Sequence, residues 1–200
     1  MIKINGFKKK YGDNLILDID KFEFNEGKSY LIIGKNGSGK STLIKCLLGI
    51  NNISDGEIII NTKNIAYVPE KYFFPEFCTI DKFLYEILCL YQKEENFPLI
   101  DYYCTKFKLD KRKTLTKLSK GMHQKVLIIQ SLIHDAKLYI FDEPLNGLDD
   151  YSQNIFFEII NNIKRNNKTL LITTHYPSLY GNKYDYYLKI ENQRILYESN

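Results

Sequence analysis

Gly34-Lys35-Asn36-Gly37-Ser38-Gly39-Lys40-Ser41-Thr42 sets two glycines with four residues between them ahead of Lys and Ser. That is the spacing of a phosphate-binding loop. The apolar run Tyr30-Leu31-Ile32-Ile33 reads as a buried strand entering the loop. Thr42-Leu43-Ile44-Lys45-Cys46-Leu47-Leu48 reads as a helix leaving it. Glycines let the backbone wrap so that its amides point inward at phosphate oxygens, and the helix start adds its positive dipole end. Asn36, Gly37, Ser38, Gly39 and Thr42 form the cradle in this reading. Lys40 reaches the β- and γ-phosphates, and the Ser41 hydroxyl ligates Mg²⁺. A plain glycine turn between strand and helix has no need of Lys-Ser at this offset. The stretch predicts binding of a nucleoside triphosphate.

Composition frames this expectation. Two hundred residues suffice for one domain with a sizeable core. A hydrophobic content of 44% and a charged content of 26% are ordinary for a globular chain. No apolar run approaches the ~18 residues of a membrane span. Met1-Ile2-Lys3-Ile4-Asn5 lacks the charged-then-apolar layout of a secretory leader. The chain is expected in the cytoplasm, peripheral to a membrane only through another protein. Cys46, Cys78, Cys89 and Cys104 form no C-x-x-C pair and predict reduced thiols. A formal charge of +4 is too small to argue for nucleic acid. Lys8-Lys9-Lys10 reads as a solvated run.

The pattern predicts an α/β fold. Ile2 to Phe7 and Leu15 to Phe24 read as strands around Tyr11-Gly12-Asp13-Asn14, an antiparallel N-terminal β subdomain. Glu57–Asn61 and Ile65–Val68 are strands, the latter stopped by Pro69. Thr79 to Leu90 reads as an amphipathic helix with Thr79 as N-cap and Phe83, Leu84, Ile87, Leu88 and Leu90 inward. Further helices cover Leu99–Phe107, Lys120–His134 behind Ser119, and Asp149–Arg165. Strands cover Lys137–Asp142, Lys168–Thr174, and a closing hairpin from Tyr184–Ile190 to Arg194–Tyr197. Alternating strands and helices imply a mostly parallel sheet. The helix-only stretch implies an inserted helical subdomain at 70–133, dividing a nucleotide-binding core of 1–69 and 134–200. His123 and His134 read as helix-surface residues.

A second acidic element narrows the chemistry. Leu138-Tyr139-Ile140-Phe141-Asp142-Glu143-Pro144 is an apolar strand ending in two carboxylates about 100 residues after the loop. Asp142 suits the Mg²⁺ shell beside Ser41. Glu143 points elsewhere and suits the water that attacks the γ-phosphate. Leu118-Ser119-Lys120-Gly121-Met122 precedes an apolar helix. Ser119 caps it, Gly121 bares backbone, and such a helix start can receive an anion.

Taken in order, these motifs resemble the nucleotide-binding subunits of ABC transporters, over the whole length. Tyr11 falls at the aromatic position that stacks on adenine in that family. Gly34 to Thr42 match Walker A. Glu70 falls where the family usually has glutamine. Ser119 to Met122 match the signature, more often Ser-Gly-Gly-Gln. Asp142 and Glu143 match Walker B and the catalytic glutamate. Leu145-Asn146-Gly147-Leu148-Asp149 matches the loop that crosses the dimer interface. His175 matches the switch histidine that contacts the γ-phosphate.

The resemblance implies an ATPase with ATP and Mg²⁺ as ligands and Ser41, Glu70 and Asp142 around the metal. Glu143, His175 and Lys40 are its catalytic set. It implies a head-to-tail pair of such subunits, identical or homologous, in which Ser119 and Gly121 of one copy close over the nucleotide of the other. It implies a separate membrane permease as partner and no nucleic acid. The nucleic-acid-directed relatives carry a coiled-coil insertion, zinc modules or a tandem ATPase domain, which this chain lacks. Tyr72, Phe73, Phe74 and Phe77 are candidate permease contacts. Glu70 together with Ser-Lys-Gly-Met is similar to the drug, bacteriocin and lantibiotic exporter branch, so export is the expected direction. The alternative is a non-transport relative that serves assembly of another protein complex.

Overall fold

The computed structural model describes residues 1–181 and 184–199. Three strands form an antiparallel sheet at the N-terminal side: β1 (Ile2–Tyr11), β2 (Asn14–Phe24) and β4 (Asp55–Ile60), in the order β2-β1-β4. The main sheet contains β3 (Ser29–Ile33), β5 (Ile65–Val68), β6 (Leu138–Asp142), β7 (Thr169–Thr174), β8 (Tyr186–Glu191) and β9 (Arg194–Ser199). Its order is β5-β6-β7-β3-β8-β9, parallel throughout except for the antiparallel pairing of β8 with β9. Parallel neighbours need a crossover, and here the helices supply it. They are α1 (Lys40–Leu47), α2 (Ile80–Leu90), α3 (Phe97–Lys106), α4 (Lys120–Leu132) and α5 (Asp150–Arg165).

The strands β3, β6 and β7 are buried almost throughout because both faces of the sheet are covered. On one face Ile32, Ile140, Leu171 and Leu188 meet Leu43, Ile44 and Leu47 of α1 and the inner side chains of β1. On the other, Leu31, Phe141, Leu170 and Ile172 meet Val126 and Ile129 of α4 and Ile155, Phe156, Ile159 and Ile163 of α5. Each such side chain contributes roughly 1.5–3 kcal/mol by leaving water. The alternation has a functional consequence. Asp142 and Thr173 share the α1 face with Ile140 and Leu171, since side chains two apart on a strand point the same way.

The helical segment lies between β5 and β6. Leu84 and Leu88 of α2, Ile100 and Cys104 of α3, and Phe107 are buried together there. Three expectations change. Leu90 is 79% exposed at the last position of α2 and does not join that core. Thr79 precedes α2 in extended conformation, but its hydroxyl donates to Asp81 and accepts nothing from the helix. The two histidines are not surface residues. His134 is buried, stacks on Tyr91 with centroids 4.1 Å apart, and donates from Nδ1 to the Gln130 carbonyl. Burial holds its pKa below the usual value. His123 donates from Nε2 to the Leu115 carbonyl at 2.7 Å and stacks on Phe74.

Two helix starts carry a side-chain cap. Ser119 Oγ accepts from the Met122 amide, and Asp149 Oδ1 accepts from the Ser152 amide at 2.8 Å. Ser152, the residue facing this carboxylate, and then Lys125, 3.0 Å away, draw the Asp149 pKa down to about 2. The lowered pKa means stability that is fully present above the ordinary carboxylate value and lost as pH falls toward 2. Asp149→Asn keeps a capping side chain but removes the charge. Urea unfolding at pH 6 is expected to show it less stable by about 0.5–1 kcal/mol, a modest figure for an exposed carboxylate. The gap should close progressively below pH 4. A difference that stays constant from pH 6 to pH 3 would show that the charge contributes nothing.

Candidate functional site

The loop between β3 and α1 has the backbone that phosphate binding requires. Gly37 and Gly39 take φ of +80° and +104°, where a side chain is strained. A Cβ on Gly34 would come within 2.4 Å of Ser38 Oγ. Helix α1 then begins without a capping side chain and without an acidic residue in its first turn. Its first intrahelical bond runs from the Leu43 amide to the Gly39 carbonyl. The amides before Leu43 therefore remain as donors at the positive end of the helix. In α4 and α5 one such amide is already taken, Met122 by Ser119 and Ser152 by Asp149.

Lys40, Glu143 and His175 meet above this loop. Lys40 is 6% exposed; its Nζ donates to the Gly34 carbonyl at 2.8 Å and lies 3.4 Å from Glu143 Oε1. His175 Nδ1 lies 2.9 Å from Glu143 Oε2, out of line for a hydrogen bond. Glu143 follows β6 with φ +52°, so the chain turns sharply after Asp142 and sends the two carboxylates different ways. A left-handed conformation at a non-glycine residue costs of order 1 kcal/mol and persists only where its surroundings hold it.

Asp142 is 1% exposed and close to Ser41. Burial raises its pKa, opposed by the hydroxyls of Thr173 and Ser41, while the charges of Glu70 and Glu143 push the same way as burial. Thr173 Oγ1 donates to Oδ1, and Oδ2 is buried with no hydrogen-bond partner. A bare carboxylate oxygen beside a serine hydroxyl suits Mg²⁺, which takes few protein ligands and keeps most of its waters. Glu70 follows Pro69 at the end of β5 and lines the same cleft. Tyr67 also faces this region: its hydroxyl is buried and unpaired, and burial, then Asp142 and Glu70, push its pKa well up.

The cleft holds about 260 Å³ and is lined by Asn36, Gly37, Gly39, Lys40, Ser41, Thr42, Glu70 and Glu143, with Ile16 of β2. A larger groove of about 410 Å³ lies between α3 and α5. Four of its charges are paired, Lys106 with Glu158 and Lys168 with Asp135, and it offers no phosphate loop. Tyr11 does not line the 260 Å³ cleft. It is half-exposed, with its hydroxyl accepting from Asn51 and Lys9 Nζ 4.6 Å from its ring centre.

Ser119 is exposed and, like Gly121, does not line the cleft of its own chain. Gly121 has a second reason to be glycine, since a Cβ there would lie 2.2 Å from the Gly147 carbonyl oxygen. The signature helix and the loop after Glu143 are thus locked together within one chain. Of the aromatic candidates, Tyr72 and Phe74 pack inward against His123, whereas Phe73 and Phe77 are 101% and 88% exposed. The sequence reading missed Ile16, Tyr67 and Thr173. Thr173 left a signal: a hydroxyl directly after the apolar run Leu170-Leu171-Ile172 and two residues before His175.

Residues 17–146 match the family model described as ABC transporter. The chain is 36% identical over 179 residues to an ABC transporter ATP-binding protein of Methanocaldococcus jannaschii, covering 87% of this chain and 68% of that one. It is 34% identical over 179 residues to the zinc import ATP-binding protein ZnuC of Rickettsia conorii, covering 88% and 76%. Its fold superposes with a TM-score of 0.85 on a dimeric ATP-binding cassette in a post-hydrolysis state with ADP and Pi, at 19% identity and covering 100% and 98%. With Asp142 beside Ser41 and His175 beside Glu143 at the phosphate loop, the conclusion is plain: this chain belongs to the ABC transporter family as an ATP-binding, ATP-hydrolysing subunit.

Proposed function

We propose that this subunit drives a separate membrane permease and works as one half of a head-to-tail pair. The observation that carries the pairing is the position of Ser119. A capped, exposed helix start with anion-binding chemistry stands outside the cleft that holds Lys40. It is useful to a nucleotide only when that nucleotide sits on another copy. The dimeric cassette to which the fold is similar supports this arrangement.

Within one copy, the loop amides and Lys40 hold the phosphates, and the exposed face of Tyr11 offers a surface for the base. Ser41 and Asp142 would hold Mg²⁺, with Glu70 beside them, and the ion would neutralise charge on the phosphates when bound. Glu143 takes the proton of the attacking water, and His175 keeps Glu143 in place and meets the γ-phosphate. Phe73 and Phe77 are the contacts offered to the permease. The subunit sits on the inner face of the cell membrane through that partner. Among the described residues no helix is long and apolar enough to cross a membrane. The export direction suggested by Glu70 and the Ser119–Met122 variant has no support from the relatives, since those with a named cargo, the zinc import protein among them, are import proteins. The ATPase cycle proposed here is the same for either direction.

Complementation tests the shared site. Lys40→Met and Ser119→Arg should each be inactive. A refolded equal mixture should recover activity toward roughly a quarter of wild type, because half the pairs are mixed and each has one intact site. A mixture no more active than its parents would overturn the head-to-tail reading.

A further inference from the structure

Thr173 is fully buried in β7, directly opposite Asp142 in the parallel register of β6 with β7. Directly opposed residues project to the same face from strands roughly 4.8 Å apart, so the threonine hydroxyl falls within reach of the carboxylate. That hydroxyl makes two bonds of opposite sense. It donates to Asp142 Oδ1 and accepts from the Glu143 amide at 3.1 Å. The polarity is forced, because an amide N–H only donates, so the single hydroxyl proton goes to the carboxylate. The Thr173 carbonyl accepts from the same Glu143 amide at 3.2 Å.

Two consequences follow for the neighbouring acids. Tying Oδ1 fixes the rotation of the Asp142 carboxylate and leaves Oδ2 as the oxygen without a partner. Holding the Glu143 amide from two sides supports the left-handed turn at φ +52° that aims its side chain at Lys40 and His175. A valine would fill the same space and make neither side-chain bond. Packing alone therefore does not account for a hydroxyl here: β7 is otherwise covered on both faces by apolar side chains.

We propose that Thr173 is a positioning residue of the ATPase reaction, its one hydroxyl setting both the carboxylate that holds the metal and the turn that aims the water-activating glutamate. This rests on the roles given above to Asp142 and Glu143.

The test compares Thr173→Val and Thr173→Ser with the wild type, and carries Asp142→Asn and Glu143→Gln as controls. Turnover, KM for ATP, binding of Mn²⁺ in the presence of ADP by electron paramagnetic resonance, binding of metal-free ADP, and thermal unfolding are measured. Thr173→Val is expected to lower kcat roughly 10–100-fold with KM changed less than about twofold, and to weaken Mn²⁺ roughly tenfold. Metal-free ADP should bind within about twofold of wild type, because the loop is untouched. Thr173→Ser keeps donor and acceptor and should restore kcat and Mn²⁺ affinity to within about threefold. Unchanged kcat and Mn²⁺ affinity in Thr173→Val would overturn the proposal. So would an equal loss in Thr173→Ser, or a matching loss of metal-free ADP binding, since either would mark a packing role. If Thr173→Val does not fold, Thr173→Cys takes its place. Its weak thiol donor should leave it below Thr173→Ser in kcat, and the reverse order overturns the proposal. Wild-type kcat and Mn²⁺ affinity in both controls would instead bring down the assignment of the two acids, which separates that failure from this one.

Discussion

Glu143→Gln is expected to lower ATP turnover by about 10²–10⁴-fold while nucleotide still binds, because the change removes a proton acceptor and little else. The side chain keeps its length in a site where Glu143 is 6% exposed. Lys40 loses a charged partner at 3.4 Å but still donates to the Gly34 carbonyl, so the loop is not disassembled. His175 stays beside a carbonyl oxygen in place of a carboxylate. With hydrolysis blocked and binding intact, the closed pair should accumulate. Gel filtration with millimolar ATP and Mg²⁺ should then show a dimer that ADP does not produce. Turnover above a tenth of the wild-type rate would remove Glu143 from the role of base. A monomer under saturating ATP would count against pairing between copies of this chain.

The parts of this site that were legible in the sequence are those in which chemistry and contiguity coincide. The loop from Gly34 to Thr42 carries its function in neighbouring residues, so spacing alone identifies it. Asp142 and Glu143 were readable for the same reason, at the end of an apolar strand. What the sequence did not disclose depends on register and on packing between distant elements. Thr173 gains its meaning only from lying opposite Asp142 across two strands joined by α5. His134 reads as polar and therefore exposed, yet Tyr91, from the end of α2, covers its ring. The segment from Tyr72 to Phe77 holds an apolar run without helical spacing. In the fold Tyr72 and Phe74 turn inward against His123 while Phe73 between them turns out. Gly121 was read as baring amides for a ligand. Its tight approach to Gly147 is a contact within the chain that no motif announces.

Lys40→Met should separate two roles of one ammonium. The ammonium donates to the Gly34 and Lys35 carbonyls and faces Glu143, with Lys40 and Glu143 each 6% exposed. In this geometry it holds the loop and a buried carboxylate together. With nucleotide, the same charge belongs to the phosphates. A charge-assisted hydrogen bond contributes about 1.5–3 kcal/mol, so ATP affinity should fall roughly 10–100-fold. Removing one partner of a buried pair costs up to about 3–5 kcal/mol, and less here because His175 remains beside Glu143. The nucleotide-free Lys40→Met variant should accordingly unfold at lower denaturant than wild type. Adding Glu143→Gln removes the stranded charge, so the double variant should regain most of the lost stability and none of the lost affinity. The two changes are then non-additive in denaturation and additive in nucleotide binding, as expected when neighbours share one interaction but only one of them touches the ligand. Equal stability of Lys40→Met and wild type would show that the Lys40–Glu143 contact contributes nothing before nucleotide arrives. Recovery of affinity in the double variant would show that Lys40 serves the carboxylate rather than the phosphates.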